Sequence, residues 1–164
     1  MTEPARRPAI VASAPTRLDF GGGWTDVPPF PEDRGGFVCN LAIDRRATVT
    51  LHPSTDGRGH EPPLVAAALR RAARDGPLPD ALAVELQSDF PVGAGLGGSS
   101  AALVALAAAF AHLQFRALDP TALAEWSRAV EVEELGIAGG RQDHYAAAFG
   151  GALGLSFGRH TTVC

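Results

Sequence analysis

Three short stretches of this chain bring together residue types that can do chemistry. The first is Pro91-Val92-Gly93-Ala94-Gly95-Leu96-Gly97-Gly98-Ser99-Ser100-Ala101, which runs into an apolar helical pattern. Glycines let backbone N–H groups converge on an anion, and a helix start adds unpaired N–H groups and a positive dipole end. Ser99 and Ser100 fall at the helix cap, where a hydroxyl can bind Mg²⁺ or a phosphate oxygen. An ordinary tight loop with a serine N-cap would use the same residues.

The same loop satisfies a dinucleotide fingerprint, Gly93-x-Gly95-x-x-Gly98, with Asp119 standing 21 residues beyond Gly98. In a Rossmann unit that acid closes a second apolar strand. Here Asp119 precedes Pro120 and a helical pattern, so its better use is a helix cap. The fingerprint also belongs near the start of its domain, and some 90 residues come first. A Rossmann-type oxidoreductase is therefore a weaker reading of these residues.

The second stretch is Gly139-Gly140-Arg141-Gln142-Asp143-His144-Tyr145, with Glu131, Glu133 and Glu134 upstream. Glu131 lies 12 residues before Asp143, across a helix end and a glycine break, so both carboxylates can face one pocket. Phosphoryl transfer uses such a pair, one on Mg²⁺ and one to orient or deprotonate the attacking hydroxyl. For Glu133 and Glu134 a solvated acidic face is the better reading. The third stretch, Ala14 to Asp26, sets Arg17 ahead of Gly21-Gly22-Gly23-Trp24-Thr25-Asp26. A guanidinium near a glycine loop can stabilise a transferring phosphoryl group or hold a carboxylate. The Asp26 carboxylate can accept hydrogen bonds from sugar hydroxyls. A structural Arg–Asp pair with a Trp packed over glycine would account for the segment equally well.

Composition narrows the chemistry. All 14 basic residues are Arg, which removes the P-loop lysine, a pyridoxal Schiff base and any lysine nucleophile. The formal net charge of −4, without a basic stripe, argues against a nucleic-acid partner. Cys39 and Cys164 make no metal spacing or disulfide framework, so reduced thiols in a cytoplasmic protein are expected. The longest nearly apolar stretch, Ala101 to Leu113, is too short to span a bilayer, so no membrane partner is expected. With 164 residues and 46% apolar content the chain is sized for one domain with its own core.

The elements that must position these groups follow from periodicity. Residues 1–9 read as a flexible arm. Ile10 to Phe20 has strand-like pieces broken by Pro15, Phe37 to Ile43 is a strand, and Thr48 to Leu51 a further one. His52 to Pro63 is a polar loop. Leu64 to Arg74 is an amphipathic helix whose arginines form a solvated face. Ala83 to Gln87 alternates as a half-buried strand. Ser99 to Phe115 is a helix apolar almost all round, and so buried on several sides. Asp119-Pro120 opens a helix through Glu134 or Leu135. Gln142 to Phe149 is a short helix and Ala152 to Phe157 a closing strand. The order is α+β.

Taken together, the three stretches resemble the GHMP kinase superfamily. Pro91 to Ala101 resembles its phosphate-wrapping motif. Arg17 to Asp26, with Trp24-Thr25-Asp26, Pro28-Pro29 and Gly35-Gly36, is similar to the first motif of its heptose 7-phosphate kinase and fucokinase branch. Gly140-Arg141-Gln142-Asp143 with Tyr145 to Gly151 resembles that branch's catalytic-aspartate segment. The resemblance covers about residues 10–157. It implies the kinases' N-terminal domain, a ribosomal protein S5 domain 2-like fold with a mixed sheet packed on helices.

By that resemblance the activity is ATP-dependent phosphorylation of a hydroxyl on a heptose 7-phosphate or fucose-like sugar. Asp143 and Arg17 are then the catalytic residues. Ser99 and Glu131 hold Mg²⁺, and Pro91, Gly93 to Gly98, Ser99, Ser100 and Ala101 hold ATP. Thr25, Asp26, Gly140 and Gln142 face the sugar. Gly98 stands where relatives often have Ser, and Arg141 where many have Lys. These kinases also carry a C-terminal domain with a third glycine-rich motif, which residues 10–164 do not supply. That leads to the expectation of a C-terminal half as partner, or of self-association. A non-catalytic ATP- or sugar-binding module is the alternative.

Overall fold

The computed structural model describes residues 9–54 and 61–164. The arm expected over 1–9, apart from its last residue, and residues 55–60 of the expected polar loop lie outside them. The element order is β1 (Ile10–Gly21), α1 (Phe30–Arg34), β2 (Gly36–Pro53), α2 (Pro63–Asp75), β3 (Leu82–Ser88), α3 (Gly98–Leu113), α4 (Pro120–Ala129), a π-helical turn (Val130–Glu134), α5 (Gln142–Phe149), β4 (Ala152–Phe157) and β5 (Thr161–Val163).

The 18-residue β2 is the spine of the sheet. Its one edge pairs with β1 along nearly its whole length, while the other edge is shared by β4 at Gly36–Leu41 and β3 at Ala47–Pro53. The break expected between two strands, over Asp44 to Ala47, is bridged as one continuous strand. Pro15 does not interrupt β1 either. It sits at a register shift, where Pro15 pairs with Arg46 and Thr16 already with Ile43. On an edge strand, at a bulge, a missing N–H breaks no ladder bond. A mixed sheet was expected; among the described residues all the strand pairings are antiparallel, which keeps the α+β class. The short β5, unforeseen because it has only three residues, hairpins onto β4.

One face of this sheet is covered by α3, which packs on β1 and β2 and is itself flanked by α2, α4 and α5. A helix in that position must be apolar all round, and Ala101 to Ala107 are all buried. Leu103, Leu106 and Phe110 fill the centre against Val49, Leu51 and Val65. The repeated alanines of α3 allow its neighbours to approach closely on every side. A second cluster sets Val38, Leu153, Leu155 and Phe157 against Ala124 and Tyr145. The other face of the sheet carries Leu18, Phe20, Phe37 and Leu41 exposed. Among the described residues no helix is long and apolar enough to cross a membrane.

Helix ends confirm some cap assignments and revise others. Asp119 caps α4, its Oδ1 accepting from Ala122 N at 2.8 Å. The serine cap expected for α3 is replaced by Gly97, in the left-handed region at φ 72°, so Ser99 and Ser100 fall in the first turn with free hydroxyls to spend elsewhere. At the other end of α3, Phe115 follows the cap with φ 55° and is 99% exposed. An L-residue with a Cβ is disfavoured in that region by about 1 kcal/mol, whereas glycine is not. Phe115→Gly should therefore leave stability unchanged or raise it by up to about 1 kcal/mol in urea unfolding, while Leu106→Ala should lower it by about 2–5 kcal/mol.

Candidate active site

The three stretches meet at Arg17. Near the end of β1 its backbone N–H donates to Leu96 O at 3.0 Å, and its Nη1 donates to Gly95 O at 2.7 Å, so strand and glycine loop are stitched together. The rest of the guanidinium turns to α5. Nε and Nη2 both reach Asp143 Oδ1, at 2.8 and 2.7 Å. The carboxylate is thus held through one oxygen, and Oδ2 lies over Gly97. A Cβ at Gly97 would stand 3.2 Å from Oδ2 and 3.1 Å from the carboxyl carbon, at a φ that already favours glycine. Burial pushes the Asp143 carboxyl above the ordinary aspartate range, and the Arg17 charge works against that rise.

Asp26 has a position of its own. It is 1% exposed, and its Oδ2 accepts from the N–H groups of Arg141 (2.7 Å) and Gln142 (2.9 Å). It therefore caps α5 from a distance, where no local side chain does so. Gly140 admits it closely, since a Cβ there would fall 1.9 Å from Oδ2. The second oxygen, Oδ1, is buried without a protein partner. Thr25 does not line the cavity beside it. Its hydroxyl donates to Gly22 O at 2.7 Å and accepts from Phe37 N at 3.1 Å, which shapes the loop that delivers Asp26.

Two adjoining cavities result. One, of about 290 Å³, is walled by Asp19, Gly23, Trp24, Asp26, Gly140 and Gln142, with Glu131 and His144 at its base. The other, of about 530 Å³, runs along Pro91 to Gly98 and has Leu64, Leu86, Phe90 and Ala102 as an apolar wall. Arg17, Ser99 and Asp143 are the side chains that line both. Glu131, carried on the π-helical turn, brings Oε1 to 3.4 Å from Ser99 Oγ and Oε2 to 2.9 Å from His144 Nε2. Ser100, 2% exposed, lines the first cavity, with its Oγ 3.5 Å from His144 Nε2. Glu133 stays solvated, 62% exposed at its side chain, while pairing with Arg71; Glu134, 6% exposed, is instead covered by Arg70 and Arg74, whose own side chains remain on the solvated face of α2.

Some cavity residues carried no assigned role in the sequence. Asp19 is two residues from Arg17 on β1, so strand periodicity puts both on one face. Trp24 is 79% exposed with φ 72°, at the cavity mouth and not packed over the glycines. The dinucleotide reading fails on topology. The strand before the glycine loop, β3, pairs antiparallel with β2, and Asp119 is spent as a cap.

Comparison with known proteins identifies the family. The model of the GHMP kinases N terminal domain matches residues 63–151, just over half the sequence, and the chain belongs to that family. A D-glycero-alpha-D-manno-heptose 7-phosphate kinase from Campylobacter jejuni is 32% identical over 171 aligned positions, covering 90% of this chain and 50% of the relative. Among solved structures, a D-glycero-D-manno-heptose 1-phosphate kinase from Bacteroides thetaiotaomicron superposes with a TM-score of 0.87 at 27% identity, over 96% of this chain and 59% of that one. A sugar kinase structure from Campylobacter jejuni gives 0.78 at 30% identity, over 95% and 55%. The chain spans half the length of the curated heptose 7-phosphate kinase that it matches.

The cap geometry gives a direct test. Asp26→Ala removes the acceptor of two buried N–H groups, a loss of about 1–3 kcal/mol each at the upper limit. The variant should unfold at lower urea concentration, and the amides of Arg141 and Gln142 should lose hydrogen-exchange protection more than the amides of α3.

Proposed function

We propose that this chain is the nucleotide-binding half of an ATP-dependent kinase acting on a sugar or sugar phosphate. The observation that carries the reading is the pair of cavities that share Arg17, Ser99 and Asp143. A donor on the glycine loop and an acceptor beside Gly140 would meet at those three side chains. The loop cavity suits Mg·ATP. Its apolar wall of Leu64, Leu86 and Phe90 offers a surface for an adenine ring, and the amides at the start of α3 face the phosphates. Gly93 and Gly95, both at positive φ, have nothing within 4 Å of where a Cβ would stand, so the loop is open to a ligand.

The donor set also fits Mg²⁺. Among the described residues no group of three His, Cys, Asp or Glu could hold a metal. Ser99 Oγ and Glu131 Oε1 are hard oxygens 3.4 Å apart, and Mg²⁺ characteristically takes one or two protein oxygens and completes its shell with phosphates and water. Bound there, the cation would neutralise charge on the transferring phosphates. Arg17 adds a fixed positive charge at the junction of the cavities. Asp143, held through Oδ1, offers Oδ2 to the acceptor hydroxyl. The hydroxyl oxygen bonds to the γ-phosphorus, the bond to the β–γ bridging oxygen breaks, ADP leaves and the hydroxyl proton passes to Asp143.

For the acceptor we propose a heptose phosphate, on the similarity to the two heptose kinases, with a fucose-like sugar as the second choice. Asp19, Gln142 and the backbone at Gly140 supply polar groups to its hydroxyls. Asp26, which also lines this cavity, serves mainly by fixing α5, with its Oδ1 buried. The exposed apolar face of Leu18, Phe20, Phe37 and Leu41 would be covered by a C-terminal half such as the longer relatives have room for, or by self-association. A non-catalytic nucleotide- or sugar-binding module would keep the same cavities. Exposed free thiols at Cys39 and Cys164 favour a reducing compartment, the cytoplasm.

Calorimetric titration separates the readings. Mg·ATP should bind and NAD⁺ should not; Gly95→Val, at φ 71°, should abolish most of the ATP affinity. Ser99→Ala should weaken Mg²⁺-dependent binding, with recovery at high Mg²⁺. Asp143→Asn should bind Mg·ATP nearly as the parent does but transfer phosphate to a sugar about 10²–10⁴-fold more slowly. The acid limb of turnover should lie above the ordinary aspartate range, because the carboxylate form is needed and burial raises the pH at which it forms. Full activity in Asp143→Asn would remove it from the mechanism.

A further inference from the structure

His144 is 1% exposed beneath the acceptor cavity, and nothing in the transfer chemistry above uses it. Its Nε2 is 2.9 Å from Glu131 Oε2 and 3.5 Å from Ser100 Oγ, while Nδ1 is buried with no partner. That orphaned nitrogen assigns the tautomer. A proton on Nδ1 would have nothing to donate to, and would turn the lone pair of Nε2 toward a carboxylate oxygen. Placed on Nε2, the same proton makes a charge-assisted hydrogen bond to Oε2.

The other side of that oxygen is closed by backbone. A Cβ on Gly139 would stand 2.7 Å from Glu131 Oε2, so any side chain at this position would displace the carboxylate. The terminal torsion of a glutamate is broad and two-fold, and an unsupported carboxylate would present either oxygen. Here Oε2 is occupied by His144 and walled by Gly139, and Oε1 is left beside Ser99 Oγ. The π-helical turn contributes too, since Ile137 N–H donates to Glu131 O at 3.1 Å and folds the following chain back over the residue.

We propose that His144 is a positioning residue that, with Gly139, locks the Glu131 carboxylate so that Oε1 alone meets the cation of a Mg²⁺–nucleotide complex beside Ser99. The inference rests on the nucleotide-kinase reading of the site. It assigns to His144 no contact with substrate and no proton transfer.

The test uses Mn²⁺ as the probe, titrated onto the 164-residue chain in the presence of ATP and followed by water-proton relaxation. Removing an outer partner of a metal ligand costs about 10–100-fold in metal affinity. His144→Leu should weaken Mn²⁺ by that factor and leave the affinity for metal-free ADP unchanged. His144→Gln, which can still donate an N–H to Oε2, should recover most of the loss. Gly139→Ala keeps the imidazole but pushes on Oε2, and should weaken Mn²⁺ in the same direction. If His144→Leu does not fold, Gly139→Ala and His144→Gln carry the test together. Mn²⁺ affinity within twofold of the parent in His144→Leu, or in Gly139→Ala where the leucine variant is unfolded, overturns the proposal. Failure of the parent chain itself to bind Mn²⁺ with ATP would instead overturn the nucleotide reading, and this inference with it.

Discussion

The Arg17 guanidinium is the tie on which this site depends. It joins three parts of the chain: β1, the glycine loop through Gly95 O, and α5 through Asp143. Its side chain is 12% exposed, so the pair with Asp143 forms where water is scarce and geometry matters more than at a surface. A buried pair of this kind is weak evidence for stability. Its value here is placement, because it fixes one oxygen of a carboxylate whose residue lines both cavities. Burial still lifts the Asp143 carboxyl above its usual range despite the adjacent charge. A carboxylate that is costly to ionise and rigidly held is suited to taking up a proton.

The surrounding structure supports that placement through a helix cap and ion pairs beyond the Arg17–Asp143 contact. Asp26 caps α5 by accepting from two of its first N–H groups, and Thr25 shapes the loop that brings Asp26 there. On the opposite side, the π-helical turn after α4 swings Glu131 toward Ser99 and His144. The pairs made by Arg70, Arg71 and Arg74 with Glu133 and Glu134 fasten that turn to α2. π-helical insertions frequently mark functional sites, and this one changes which residues face inward. Mutations at these arginines would act on the Glu131 side of the site through packing.

Much of the fold was legible because it obeys local rules. The helix from Gln142 to Phe149 and the strand from Ala152 to Phe157 are bounded by glycines, and the α4 cap is a plain Asp-Pro start. The buried α3 announced itself by having no polar face. What the sequence obscured depends on long-range contacts. Pro15 looked like a breaker but lies on an edge strand at a bulge, and β2 looked like two strands because its polar middle, Asp44 to Arg46, lies at the register shift. At the site, Arg17, Asp143, Ser99 and Glu131 could be nominated from their types and from the motifs they sit in. The partners of Asp26 and Thr25 could not, since caps and clips between residues 12 and 116 positions apart leave no local spacing.

The account stands or falls on two ligands entering two cavities that meet at Asp143. The most direct measurement is amide chemical-shift mapping on the chain, first with a non-hydrolysable Mg·ATP analogue and then with a heptose phosphate. The account predicts that the nucleotide perturbs residues 91–101 and the sugar perturbs residues 22–27 and 139–144. Arg17, Ser99 and Asp143 should respond to both. Nucleotide shifts centred on Asp119 or on the outer sheet face, or one set of residues answering to both ligands, would contradict it.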